Sequence, residues 1–158
     1  MSGAFTAYGV SPQPDAKPAN APGLVSIDLL RHPITPKVRQ LLLSATEKIN
    51  SGDYETAIGQ LQGMLAKYPD SAAYVHDLLG VAYVKTDRFQ EAVSSFEQAV
   101  ALLPHDAMTH YSFGLALICA GDYDRATQEV QRAVALDPKN EKIRQRLNEL
   151  LSKTRASN

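Results

Sequence analysis

The sequence predicts an all-α protein, a solenoid of three helix-turn-helix units closed by one further helix. Three observations predict it. Pro69, Pro104 and Pro138 stand 35 and 34 residues apart, a period that belongs to stacked helix pairs. The stretches that lead to them, SGDYETAIGQLQGMLAKYP, TDRFQEAVSSFEQAVALLP and AGDYDRATQEVQRAVALDP, superimpose. After the third, Ile143, Leu147, Leu150 and Leu151 fall at i, i+4, i+7 and i+8, one helical stripe.

Composition fits that class. Of 158 residues, 44% are hydrophobic and 21% charged, the balance of an ordinary globular domain. A net charge of −1 supplies no field that would draw the chain to nucleic acid or an anionic membrane. No apolar run reaches the roughly 20 residues of a membrane helix, and no basic-then-apolar leader opens the chain, so a cytoplasmic location is expected. The single cysteine, Cys119, has no partner for an internal disulfide and is expected to be a small apolar filler on a helix.

Residues 1–23 are rich in Pro, Ala and Gly, and four prolines in this stretch block helix, so a flexible arm is expected. Residues 24–37 follow as a short apolar docking segment, with Leu24, Val25, Ile27, Leu29 and Leu30 stopped by Pro33 and Pro36. It is too short to hold a helix alone and should dock on this domain or on a partner. Repeats are expected over 38–72, 73–106 and 107–140, then a capping helix over 141–154 with Asn140 as its N-cap, then a tail over 155–158.

Within each repeat the shared positions have steric reasons. Ala57, Ala92 and Ala126 are small where two helices approach closely, and Leu61, Phe96 and Val130 follow one turn later on the same face. Tyr54, Phe89 and Tyr123 open the second helices. Asp53, Asp87 and Asp122 are expected to cap them, with Gly52 and Gly121 permitting the tight turn. Gly80 and Gly114 are expected to mark a close helix crossing.

These residues resemble the tetratricopeptide repeat. LLGVAY at 78–83, the Glu-Ala pair at 91–92, Phe96, Ala99 and Pro104 carry the motif in the second repeat. Phe113-Gly114, Ala126, Ala133 and Pro138 carry it in the third. The first departs from it, with Ser44-Ala45 in place of Leu-Gly and Lys48 in place of an aromatic. The resemblance covers 38–140 and implies a right-handed solenoid whose first helices line a concave groove. Carried over position by position, the groove is expected to hold Arg39, Leu42, Thr46 and Ile49, then Tyr74, Asp77, Val81, Val84 and Lys85, then Met108, Tyr111, Leu115 and Ile118.

That set is mostly apolar and suits a hydrophobic or amphipathic segment of another polypeptide. Burying two or three large side chains is worth roughly 3–9 kcal/mol gross, so after ordering costs about micromolar affinity is expected. The family's clamp for the C-terminal carboxylate of chaperones needs Lys, Asn and Arg, and its places here hold Leu42, Thr46, Leu78, Met108 and Ser112. The apolar groove and slight acidity also argue against RNA.

No phosphate loop, HExxH or CxxC is present, so neither an enzyme nor a cofactor is expected. His76 and His110 occupy equivalent places, with His105 nearby, and are expected to be partly buried helix residues or loop caps rather than metal ligands. The expected function is a scaffold or adaptor, as a monomer or weak homodimer. Two alternatives remain at this stage. The layout is similar to chaperones of type III secretion translocators, and the lead-in resembles that of some bacterial repeat proteins. Equally, the groove could be filled by residues 24–32 in a self-assembling spacer.

Overall fold

The computed structural model describes residues 34–156, with side chains described to residue 152. The expected arm at 1–23, the apolar cluster at 24–32 and the last two residues of the tail lie outside the described residues.

Seven α-helices follow one another in this region: α1 (Pro36–Ser51), α2 (Tyr54–Lys67), α3 (Ala72–Lys85), α4 (Phe89–Leu102), α5 (Ala107–Cys119), α6 (Tyr123–Leu136) and α7 (Glu141–Ala156). Consecutive helices pack on one another, and α1 packs on α3 and α3 on α5. The first helices of the three pairs therefore form one layer, with α2, α4 and α6 behind it. This is an α-solenoid.

The helix boundaries follow from local chemistry. Pro36 opens α1. A proline is tolerated at the first helical position, where its missing N–H would have no partner anyway. Thr35 caps this end, its hydroxyl accepting from the Val38 N–H at 3.3 Å. The second helices end at Tyr68, Leu103 and Asp137, each followed by proline and each pushed out of the helical region by it. Each of those three N–H groups still closes on the carbonyl four residues back.

The turns correct one expectation. Only Asp122 caps as anticipated, its carboxylate accepting from the Arg125 N–H at 3.1 Å. Asp53 precedes α2 without a side-chain cap. Asp87 does not precede α4 directly; Arg88 does. Asp87 instead adopts φ 57°, the left-handed conformation that Gly52 and Gly121 hold at 85° and 83°. It stands where the other repeats use glycine, because Asp is among the few residues that tolerate that region.

The core lies between the layers. Ala57, Ala92 and Ala126 are fully buried, as are Ala45, Leu61, Phe96 and Val130. A Cβ at Gly80 would lie 2.6–2.7 Å from the Phe96 ring, and one at Gly114 would lie 2.6 Å from Val130 Cγ2, so both glycines do mark close crossings. Phe96 also stacks on Phe113 at 6.3 Å, tying the second pair to the third. A second cluster joins Tyr111, Val130 and Ala133 to Ile143 and Leu150 of α7, with Leu115 and Leu147 packed against it. Asn140 caps α7, accepting from the Ile143 N–H at 3.4 Å.

Candidate functional site

The layer of first helices sorts the thirteen expected groove residues by which neighbour covers them. Leu42 and Ile49 belong to the core, at 1% and 4% exposure. This corrects their place in the groove: α1 packs against both α2 and α3, so side chains between those helices are covered. Tyr74 and Tyr111 are also buried, at 5% and 6%. They support the face from beneath. Arg39, Thr46, Val81, Val84, Met108, Leu115 and Ile118 are half-buried and Lys85 is exposed. The Thr46 hydroxyl is used locally, donating to the Leu42 carbonyl at 2.9 Å. The half-buried apolar members of the set are Val81 and Val84 on α3 and Met108, Leu115 and Ile118 on α5.

Asp77 is also covered, at 3% exposure. Its Oδ1 and the hydroxyl of Thr109 are both buried without a hydrogen-bond partner among the described residues. Burial first, and the nearby Asp106 carboxylate second, push the Asp77 carboxyl up to about 7, with the Thr109 side chain pulling the other way. Asp106 itself caps α5, accepting from the Thr109 N–H at 2.7 Å. Tyr74 feels the same surroundings: burial and Asp106 raise its phenol, and Arg39 partly offsets them.

The histidines behave differently from each other. His110 is buried, with Nδ1 2.7 Å from Glu129 Oε2 and Nε2 3.2 Å from the Pro104 carbonyl oxygen. Both neighbours are acceptors, so both ring nitrogens carry a proton in the best-satisfied state. The hydrogen bond to Glu129 accordingly raises the ring above the usual histidine value, against the effect of burial. His110 is thus a structural link from α5 to α6 and to the end of the preceding turn. His76 Nδ1 has no hydrogen-bond partner among the described residues, and burial lowers the ring below the usual histidine value. Cys119, expected as an apolar filler, is exposed at the end of α5. Among the described residues no group of three or more His, Cys, Asp or Glu side chains is arranged to hold a metal ion. No described helix is long and apolar enough to cross a membrane.

A cleft of about 470 Å³ opens against α7, lined by Lys85, Tyr111, Leu115, Lys142, Gln145, Arg146 and Glu149. Three of these are expected groove residues. The four on α7 are not among the expected groove residues, since the apolar stripe of that helix marks only its packing face. The signal was present: Lys142, Arg146 and Glu149 recur at i, i+4 and i+7, a second stripe beside the first. Lys142 Nζ lies over the Tyr111 ring at 5.7 Å, and Arg146 Nη1 pairs with Glu149 at 2.9 Å. Burial raises the Tyr111 phenol, and Arg146 draws it back.

Comparison with known proteins agrees with this architecture. A family model described as tetratricopeptide repeat matches residues 78–141. The small glutamine-rich tetratricopeptide repeat-containing protein 2 of Mycosarcoma maydis is 26% identical over 125 residues, which span 77% of this chain and 35% of that one. The chain therefore spans about a third of the length of that relative. MamA from Desulfovibrio magneticus RS-1 superimposes with a TM-score of 0.66 and 26% identity, over 72% of this chain and 64% of that one. The second repeat domain of human RPAP3, in complex with an HSP70 peptide, superimposes with a TM-score of 0.64 and 22% identity, over 70% of this chain and 91% of that one. This last likeness is one of fold alone.

Proposed function

Because the chain is a tetratricopeptide repeat protein, we propose that it works as an interaction scaffold, holding a hydrophobic or amphipathic segment of another polypeptide along the open face of its first helices. One observation carries the reading. Val81, Val84, Met108, Leu115 and Ile118 are apolar yet only half-buried, carried by the neighbouring helices α3 and α5 at the edge of the core clusters. A set of this kind gains from being covered, whereas isolated surface apolar residues do not call for a partner. Arg39 and Thr46 extend the face onto α1, and Leu42, Ile49, Tyr74, Asp77 and Tyr111 shape it from below. That a human protein of this fold holds an HSP70 peptide supports a polypeptide segment as the kind of ligand.

The test compares backbone amide spectra of the full chain and of a 34–158 truncation, each at two concentrations. The expected result is that the amides of Val81, Val84, Leu115 and Ile118 stay in place, and shift only when an amphipathic peptide is added. Shifts on truncation that do not depend on concentration would instead assign the face to the chain's own residues 24–32. Shifts that vary with concentration would assign it to a second copy, as in the secretion-chaperone layout. Val81→Asp and Leu115→Asp should each abolish peptide binding while leaving the helical signal unchanged.

A further inference from the structure

Resting on the scaffold reading and making it more specific, we infer that the cleft between α5 and α7 reads side-chain carboxylates, so that the partner segment is acidic as well as apolar. The lining carries three cations, Lys85, Lys142 and Arg146, against one carboxylate, Glu149. That carboxylate is already engaged, accepting from Arg146 at 2.9 Å and from Gln145 at 3.3 Å. The cleft is therefore locally positive in a chain whose net charge is −1. Arg146 Nε adds a buried donor with no hydrogen-bond partner among the described residues. Lys142 stands in the first turn of α7, where the helix end itself favours a nearby anion.

The geometry suits an extended segment. Lys142 and Arg146 are four residues apart on one helix, placing their Cβ atoms about 6 Å from each other. Tyr111 and Leu115 have the same spacing on α5. In an extended chain successive side chains point to opposite sides, and alternate ones, about 7 Å apart, share a side. Such a segment in this cleft turns one set of side chains to the cations of α7 and the other to the apolar wall of α5. Acidic residues alternating with apolar ones match both walls. Glu149 already compensates Arg146, so a single terminal carboxylate would match one lysine and leave the other uncompensated.

The experiment titrates the full chain with an acetylated, amidated pentapeptide of alternating leucine and aspartate, and with versions carrying asparagine or lysine in place of aspartate. The amides of Lys85, Leu115, Lys142 and Arg146 are followed. The aspartate peptide should bind about fourfold more tightly than the asparagine peptide, at about twofold for each exposed pair with Lys85 and Lys142. This preference should shrink with added salt. It should nearly vanish in the Lys85→Gln/Lys142→Gln variant, whose substitutions fall at exposed positions and leave the core intact. Equal binding of the aspartate and asparagine peptides at these amides would overturn the inference and leave the scaffold reading standing. Preference for the lysine peptide would overturn it too. An asparagine peptide with a free C-terminus that matched the aspartate peptide would move the recognised carboxylate to the chain end and overturn the side-chain assignment. If none of the peptides moves any amide of the face, both readings fall.

Discussion

Gly80→Ala is the substitution for which helix propensity and packing give opposite signs. In a helix interior Ala is favoured over Gly by about 1 kcal/mol. At Gly59 and Gly63, in the middle of α2, a Cβ would meet nothing within 4 Å, so both Ala variants should gain about that amount. At Gly80 the new methyl would lie 2.6–2.7 Å from three atoms of the Phe96 ring, about 1 Å inside normal carbon–carbon contact. Phe96 is 1% exposed and stacked on Phe113, so the ring has nowhere to go without separating α3 from α4. Overpacking of this kind costs about 1–3 kcal/mol, which outweighs the propensity gain in most of that range. Urea denaturation measures it directly. The midpoint should rise for Gly59→Ala and Gly63→Ala, and fall for Gly80→Ala by about 0.5–1 M at an ordinary slope. A midpoint for Gly80→Ala that rises with the other two would refute the close-crossing argument, and with it the steric account of why this helix pair packs as it does.

Asp87→Gly should stabilise by about 0.5–1 kcal/mol, seen as a higher thermal midpoint, because it relieves a left-handed backbone that glycine adopts without strain. His110 has a folded pKa raised above its unfolded value, so its contribution is fully present below about pH 6.5 and is lost as pH rises through the folded value. His110→Gln should therefore lower stability at pH 6 more than at pH 9 in a denaturation series. Asp77 is also raised, so the wild-type chain should lose stability between pH about 4 and about 7 as the folded state resists ionisation. Asp77→Asn should remove that slope. Ile143→Ala should cost about 2–4 kcal/mol and free α7, read as faster amide exchange confined to that helix.

The fold was legible because the demands that make it are steric and repeated. A small residue at Ala57, Ala92 and Ala126 and a proline after each second helix leave their mark at a fixed interval, whatever lies between. The turns were half legible. Aligning TDRF with GDY on the aspartate puts Asp87 beside Asp53, but aligning on Phe89 and Tyr54 puts it on Gly52, and the backbone follows the aromatic. The open face was least legible. α3 and α5 are apolar almost all round, so no stripe separates the side buried in the layer from the side left open. Whether Leu42 is covered and Val81 is not depends on where α2 and α3 lie, which the period of one helix does not encode. The charged stripe of α7, Lys142, Arg146 and Glu149, is legible from spacing alone.

The same helices thus carry both the fold and the candidate partner face, and this decides which variants can inform on function. Tyr111 belongs to the cluster that holds Ile143 and Leu150, so Tyr111→Ala removes support from α7 along with any contact it makes. Tyr74 is as deeply placed in the other cluster. Loss of a partner in either tyrosine variant would follow equally from a lost contact and from a displaced helix. Val81 and Leu115 are half-buried and Lys85 is exposed on the same two helices, so changes there disturb the layer beneath less than loss of either tyrosine does. A binding defect at these positions, with amide exchange in α7 unchanged, isolates the face from the fold.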